Sequence, residues 1–438
     1  KVTEGAQSKD GRFAEPVDVQ KQTVERTASL TIDPASQVSQ AYWLREPANI
    51  GTNRVADPGL IGKPENDPPF PVQFVFEIGS QLFGFADEPV LCAKNAEGQQ
   101  ADQRLEIVGP VAIEFPSEVR LFAPGSTQTV EVDLTANQSN AQGALQIDAP
   151  KAWKVEPQSV EFHLGYVGDK KRFQFQVTAP DQAAQAILGA SATVGGAIYN
   201  RDLHSINYSH IPVQVLQPLA SCKAVSLDLK TAGKKVGYIT GAGDSVAQAI
   251  AQMGYSVVTL DEKDLTEEKL RDLDAVVIGV RALNVRKEIV QQMPVLFKYV
   301  EQGGNLIVQY NRPEAIPSDK LAPYPLHLSS SRITDENAAV RFIAPEHPVL
   351  NTPNKITADD FSDWVQERGI YFPDQWDKAF TPILSASDPN ESPLEGGLLV
   401  AQHGQGYFVY TGLVWFRQLP AGVPGAYRLF ANLLSLGK

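Results

Sequence analysis

The sequence predicts a multidomain chain: two N-terminal antiparallel β-sandwich domains, residues 1–104 and 105–220, followed by an α/β domain over 221–438. Three observations predict it. The 438 residues exceed one ordinary core, so about two to four domains are expected. Short alternating segments bounded by Pro, Gly, Asn and Asp fill the first half. From residue 225 the period changes, and apolar runs alternate with helical stripes.

Composition narrows the function classes. With 43% apolar and 20% charged residues, several cores can be built, and 33 glycines with 31 prolines suit turn-rich β domains. A formal net charge of −13 argues against a nucleic-acid or anionic-membrane partner. Six histidines and two cysteines supply little metal chemistry, and neither Cys92 nor Cys222 sits in a ligand or CxxC spacing. Both are expected as unpaired thiols. No apolar run reaches the roughly 18 residues of a membrane helix, so no membrane span is expected. The chain begins at Lys1 without a signal-peptide pattern and is expected to be a piece of something longer.

Taken in order, residues 1–26 are polar without a steady period and read as an arm. Short alternating pieces follow at 28–32 and 40–44, and Tyr42-Trp43-Leu44 is the first heavy apolar anchor. Turn formers from Pro47 to Pro69 make a long loop. The run FPVQFVFEI at 70–78, the pair Phe83 and Phe85, and residues 90–93 predict strands of a small antiparallel sandwich. Beyond it, strands are predicted at 105–108, 119–122, 129–134, 143–147, 159–164, 172–177, 187–194 and 208–215. Alternation puts Phe173 and Phe175 on one face, with Gln174 and Gln176 on the other. Trp153 and Tyr166 are the aromatic residues to weigh as sugar contacts, against core or rim packing. His163, His204 and His210 are scattered, with no acidic cluster beside them. Residues 218–224 read as a hinge.

In the last part, KKVGYIT at 234–240, the turn GAGD, then Val246, Ile250 and Met253 at helical spacing, and SVVTL after Gly254 make a βαβ unit. Residues 267–270 are predicted helical, and DAVVIGV at 274–280 reads as a strand covered on both faces. Ile289, Val290, Met293, Leu296, Phe297 and Val300 form one helical stripe, in which Pro294 marks a kink or a new start. Gly303-Gly304 ends it, and NLIVQY is the next buried strand. The order β-α-β-α-β-α-β implies an open parallel sheet with helices on both faces. Residues 311–380 are irregular and are expected to carry insertions on the site side, with a helix at 359–367. Strands at 383–387, 397–401 and 406–411 and a helix at 425–436 complete the chain.

The segments GYITGAGD, GVRALNV, GGNLIVQYN, PYPLHLSSSRITDE, HPVLNTPNKIT, DFSDWVQERGIYFP and TGLVWFRQLPAGVPGAYRLFANLLSL resemble the C-terminal region of large bacterial PIG-L family proteins. The resemblance covers nearly the whole chain. It implies a zinc-dependent N-acetylglucosamine deacetylase domain elsewhere in the same polypeptide, as the principal partner. The middle segment is similar to NEW3-type, immunoglobulin-like domains of glycoside-processing enzymes. The last is similar to class I glutamine amidotransferase-like and ThuA-like domains, and so flavodoxin-like. A periplasmic or extracellular location and a glycan or peptidoglycan-like ligand follow from the resemblance alone. The family's AHPDDE-type zinc motif does not occur here: His347-Pro348 continues with Val349. No catalytic residue, metal site or cofactor is therefore expected within these residues.

An amidotransferase needs a cysteine on a tight strand-to-helix elbow, joined by a histidine and an acid. The strand that should end in the elbow is followed by Arg281-Ala282-Leu283-Asn284, and residues 223–438 contain no cysteine. The crevice beyond the carboxyl ends of the strands still offers candidate ligand-binding residues. They are Gly241, Gly243 and Asp244 after the first strand, Arg281 and Asn284 after the third, and Tyr310 and Asn311 after the fourth. His347, His403, Trp415 and Arg417 complete the set. Each has a bland counterpart: Asp244 as a helix cap, the arginines as loop ties, Tyr310 and Trp415 as core. The GAGD turn lacks the third glycine of a dinucleotide fingerprint, since position 246 is Val.

Three functions compete. The first is a non-catalytic, carbohydrate-associated accessory region whose degenerate amidotransferase-like domain binds ligand or docks a neighbouring domain. The second is a hydrolase of glycan or amide substrates using Asp244, Glu346, His347 or His403, which a substrate screen would reveal. The third is a purely structural module, favoured by an exposed apolar patch near 45–70 or 411–425.

Overall fold

The computed structural model describes residues 32, 36–48, 51–78, 80–94, 98, 100–208, 210–314 and 316–438. The expected N-terminal arm lies outside the described residues. Among them, the chain is multidomain, with several β-sheet regions and one mixed helical and β region.

The mixed region holds a seven-stranded sheet. Its strands are Lys235–Ile239 (β1), Ser256–Thr259 (β2), Ala275–Ile278 (β3), Asn305–Gln309 (β4), Phe380–Pro382 (β5), Leu398–His403 (β6) and Gly406–Thr411 (β7). The spatial order is β2-β1-β3-β4-β7-β6-β5. The pairs β1–β2, β1–β3, β3–β4 and β4–β7 are parallel, while β6–β7 and β5–β6 are antiparallel. Period-2 alternation splits the strands between two apolar layers. Val236, Tyr238, Ala275, Val277, Ile307 and Val409 join the layer beneath helices Val246–Gln252 (α1) and Pro424–Leu434. Ile239, Val276, Ile278, Leu306, Val308 and Phe408 join the layer beneath the helix Lys287–Glu301. That helix runs continuously through Pro294, so the break considered there does not occur.

The helix expected over 359–367 is a short 3-10 turn, Ala358–Phe361. Asp363 and Gln366 have positive φ (59° and 67°), which ends helical geometry at once. In the middle region, the six-stranded sheet runs Val160–Leu164, Ala141–Asp148, Ala184–Val194, Ser221–Ser226 and Val119–Phe122, with Ala197–Tyr199 folded back on Ala184–Val194. The four-stranded sheet runs Val111–Glu114, Thr127–Ala136, Lys170–Thr178 and Lys154–Glu156. Leu145, Leu188 and Ala224 from the first meet Val132, Phe175 and Val177 from the second in one core. Trp153 belongs to that core, its ring 5.1 Å from Phe122, so it is no sugar platform; Tyr166 is exposed.

Two expectations change. Residues 218–224 are not a plain hinge, because Ser221–Ser226 pairs with Ala184–Val194 and Val119–Phe122. Nor do the described residues of 1–104 form one sandwich. Val72–Ile78 pairs only with Gln81–Asp87, and Val90–Lys94 only with Gln100–Arg104. Leu82, Phe83 and Phe85 are exposed, so no second sheet among the described residues covers that ribbon. The Cys92 side chain lies outside the described residues; Cys222 is buried and free.

The middle and last regions share a core. Val119, Leu121, Val225 and Leu227 sit in the same apolar layer as α1 and Pro424–Leu434. Gln252 of α1 completes the joint. Its Oε1 accepts from Leu121 N (3.0 Å) and its Nε2 donates to Val119 O (2.7 Å), so a side-chain amide stands where the next strand of the sheet would be. Lys223 Nζ adds a bond to Ala421 O at 2.8 Å.

Candidate functional site

The chain reverses direction across the sheet between β1 and β3, since β2 lies outside β1 and β3 lies on its other side. Loops leaving the carboxyl ends of adjacent parallel strands meet at such a switch point. Here they are stitched by backbone bonds: Ala242 N to Val280 O and Arg281 N to Tyr310 O, both 2.9 Å. Small residues allow the approach. A Cβ on Gly241 would lie 2.1 Å from Val280 O, and one on Gly279 would lie 2.9 Å from Ile239 O. Gly243 has φ +103° and open space around it.

Arg281 occupies the elbow between β3 and the short helix Ala282–Val285, with φ 56° and ψ 20°, a left-handed conformation that is uncommon for a non-glycine residue. No carboxylate of the described residues pairs with it, and its Nε is shielded from solvent without a hydrogen-bond partner. Beside it, Tyr310 is nearly buried, flanked by the rings of Tyr371 (5.5 Å) and Phe416 (5.6 Å). Burial raises the Tyr310 phenol above its ordinary pKa, and the neighbouring Arg281 partly offsets this. Arg417 stacks on Phe416 (4.9 Å) and pairs with Glu367 (3.0 Å). Tyr371, at φ 56°, is a second left-handed residue on this edge. Non-glycine residues held in this region mark places that the surrounding structure over-determines.

The other candidates serve the scaffold. Asp244 accepts from Tyr238 Oη (2.5 Å), Val246 N (3.0 Å) and Val280 N (3.3 Å), so it pins the β1 loop to the elbow. Burial and the Asp244 charge both push the Tyr238 phenol far up. Asn284 exchanges bonds with Arg312 N and O (2.8 and 3.0 Å). Asn311, fully buried, accepts from Leu283 N (3.0 Å) and donates to Gln309 O (2.9 Å). Trp415 is core: its Nε1 donates to Thr411 Oγ1 (2.9 Å) and its ring meets Phe430 and Trp364.

The two histidines are not brought to Arg281. His403 ends antiparallel β6 and pairs with Gly406 at the start of β7, which places it at the opposite edge of the sheet from Gly412. There it lies 3.2 Å from both Glu301 Oε1 and Tyr324 Oη. His347 caps Pro348–Asn351 by accepting from Val349 N (3.2 Å), and burial lowers its pKa. Sequence reasoning missed Glu367, Tyr371, Phe416 and Gln418. Gln418 is fully buried and exchanges bonds with Val365 N and O (both 2.9 Å), holding the loop that presents Glu367. For Glu367 and Tyr371 the prior signal was the irregularity of 311–380; for Phe416 and Gln418 it was their place beside Trp415 and Arg417. Among the described residues no group of His, Cys, Asp and Glu is disposed to hold a metal, and no helix is long and apolar enough to cross a membrane.

No protein-family model matches this chain, and no curated protein sequence matches it. Among solved structures it is similar to WR4, a C. elegans MSP family member, at 8% identity and TM-score 0.17 over 27% of this chain and 100% of that one. It is similar to E. coli alpha-2-macroglobulin at 16% identity and TM-score 0.20, over 29% and 7% of the respective chains. A family 123 glycoside hydrolase from Clostridium perfringens matches at 7% identity and TM-score 0.17, over 46% and 48%. At these TM-scores the likenesses carry no argument about fold or function.

Proposed function

We propose that this chain is a non-catalytic accessory region of a PIG-L-type deacetylase, periplasmic or extracellular, that associates with carbohydrate. On this reading the middle region is an immunoglobulin-like β-sandwich and the last a flavodoxin-like, degenerate amidotransferase-like domain. Its crevice binds a glycan or peptidoglycan-like ligand rather than reacting with it. One observation carries the reading: the elbow where a nucleophile would stand holds Arg281 in a left-handed conformation, without an acidic partner among the described residues and bonded through its backbone to Tyr310. A guanidinium without a counter-charge, with Arg417 stacked on Phe416 and the Tyr310 ring near by, suits a planar, polar or acidic sugar derivative.

Isothermal titration with chitooligosaccharides and muropeptides tests it. Saturable heats are expected for at least one series, weakened roughly tenfold or more by Arg281→Gln, as befits a lost charge-assisted hydrogen bond. Flat traces across both series would sink it.

A further inference from the structure

In a different part of the molecule from the crevice, a notch opens in the middle region. The four-stranded sheet loses its outer strand when Val111–Glu114 ends, and the chain leaves through Phe115, Pro116 and Ser117. That departure leaves the flank of Thr127–Ala136 unpaired around Thr129–Glu131. Arg120 reaches into the gap from the edge of the six-stranded sheet, its Nη2 donating to Thr129 O at 3.1 Å. Around it lies a cavity of about 320 Å³ whose walls include Phe115, Ser117, Glu131, Gln174 and Cys222. This volume falls in the range of small-molecule sites, roughly 300–1,000 Å³.

The charge in the notch is not balanced from within. Glu131 already serves Arg172 Nη1 (3.1 Å) and Gln174 Nε2 (3.1 Å). Arg120 has no carboxylate partner among the described residues, and its Nε is shielded without a hydrogen-bond partner. The thiol of Cys222 is pushed up to about 12 by burial, so it is neutral at physiological pH and no nucleophile. The notch is therefore equipped for binding. It offers one cation, acceptor oxygens on Gln174 and on Ser117, whose Oγ already donates to Val119 O (2.7 Å) and accepts from Gln252 Nε2 (3.1 Å), and one apolar face from Phe115.

We infer that this notch binds a small hydroxylated carboxylate of the sugar-acid class, its carboxylate on Arg120 and its hydroxyls on the Ser117 and Gln174 side. A single guanidinium without a neighbouring free cation matches one negative charge, and its planar fork suits a carboxylate.

The test is titration calorimetry on the whole chain with glucuronate, glucose and inorganic phosphate. Glucuronate should bind saturably, with glucose and phosphate at least tenfold weaker. Arg120→Gln should weaken glucuronate roughly ten- to a hundredfold, the range of a lost hydrogen bond to a charged group. Gln174→Phe changes an exposed residue and fills the mouth; it should block binding whether or not Arg120→Gln folds. Lys263→Gln, on an exposed turn of the last region, should leave glucuronate binding unchanged. The inference is overturned if glucuronate gives no heat, if glucose or phosphate matches it, if Gln174→Phe leaves its affinity intact, or if Lys263→Gln abolishes it.

Discussion

Asp244 tests whether the crevice was divided correctly between scaffold and ligand. Its carboxylate accepts three hydrogen bonds: from the hydroxyl of Tyr238 and from the backbone of Val246 and Val280. Asp244→Ala leaves all three donors without this acceptor. The Tyr238 hydroxyl suffers most, because the ring is buried and its remaining side-chain neighbour, Gln309 Nε2 at 3.4 Å, is itself a donor. Hydrogen bonds to charged groups contribute about 1.5–3 kcal/mol each. Asp244 is partly open to water, so the low end applies to the Tyr238 and Val246 bonds, about 3 kcal/mol together; the long Val280 bond adds at most about 1 kcal/mol, and the total loss should be about 3–4 kcal/mol. At roughly 2–4 °C per kcal/mol for a domain of this size, calorimetry should show the transition falling by about 6–15 °C. Asp244→Asn keeps one acceptor and should lose about 1–2 kcal/mol, and a cycle with Tyr238→Phe should return a coupling of about 1 kcal/mol. Glycan affinity, measured well below the transition, should change less than twofold in the Asn variant. A stable Ala variant, within about 0.5 kcal/mol of the parent, that no longer binds glycan would refute the scaffold role.

Three further outcomes follow from the same geometry. Gly241→Ala puts a methyl 2.1 Å from Val280 O, and backbone on both sides must move; a loss of about 3 kcal/mol or more in urea titration is expected. Asp133 is held below its ordinary 3.8, first by its hydrogen bond from Arg172, against the opposing effect of burial. Its contribution is fully present above that unfolded-state value and is lost as pH falls through the lower folded value, so Asp133→Asn should flatten the acid limb of the stability profile below about pH 4. Gln252→Ala removes the amide that caps the strand edge at Val119 and Leu121; a single calorimetric transition in the parent should broaden or split, with about 1–3 kcal/mol lost from the joint.

Much of the parallel sheet was legible because a strand covered on both faces has no polar side to hide. Residues 275–278 are all buried, as the run in DAVVIGV implies. In the middle region, Phe173, Phe175 and Val177 are buried and Gln174 and Gln176 are not, as simple alternation requires. Legibility failed where partner choice is tertiary. Val119 and Leu121 look like residues of their own domain, yet they face the helices of the next. His403 was misplaced because β6 returns antiparallel, which carries its last residue to the opposite edge; the turn at Gln405-Gly406 reads as a hairpin in the sequence, but that reading was not carried over to the position of His403. Trp415 looked like a platform because its indole N–H partner, Thr411, lies across a strand end that only the fold brings into register. The elbow was placed correctly after residue 280, but the left-handed turn at Arg281 is a property of the packed loops and not of the tetrapeptide.

The arginines show how scaffold and ligand roles separate in one chain. Arg368 is almost fully buried, with burial lowering its pKa to about 10, yet every part of its fork is used. Nε and Nη2 reach Ala338 O (3.1 and 2.8 Å), Nη1 reaches Phe361 O (2.5 Å), and the plane stacks on Phe361 and Trp364. Arg428 has a shielded Nε without a well-angled bond, but Asp360 Oδ1 stands 2.9 Å away and supplies the counter-charge. Arg120 and Arg281 have a shielded Nε with neither a hydrogen bond nor an acid among the described residues. Burial therefore does not distinguish the two classes, since the most buried of the four is the best satisfied. What distinguishes them is the missing counter-charge and the unmet donor at Nε, and both arginines that have them stand beside a strand end. Folding satisfies Arg368 and Arg428 from within, whereas among the described residues Arg120 and Arg281 meet no acid and keep an unmet Nε donor.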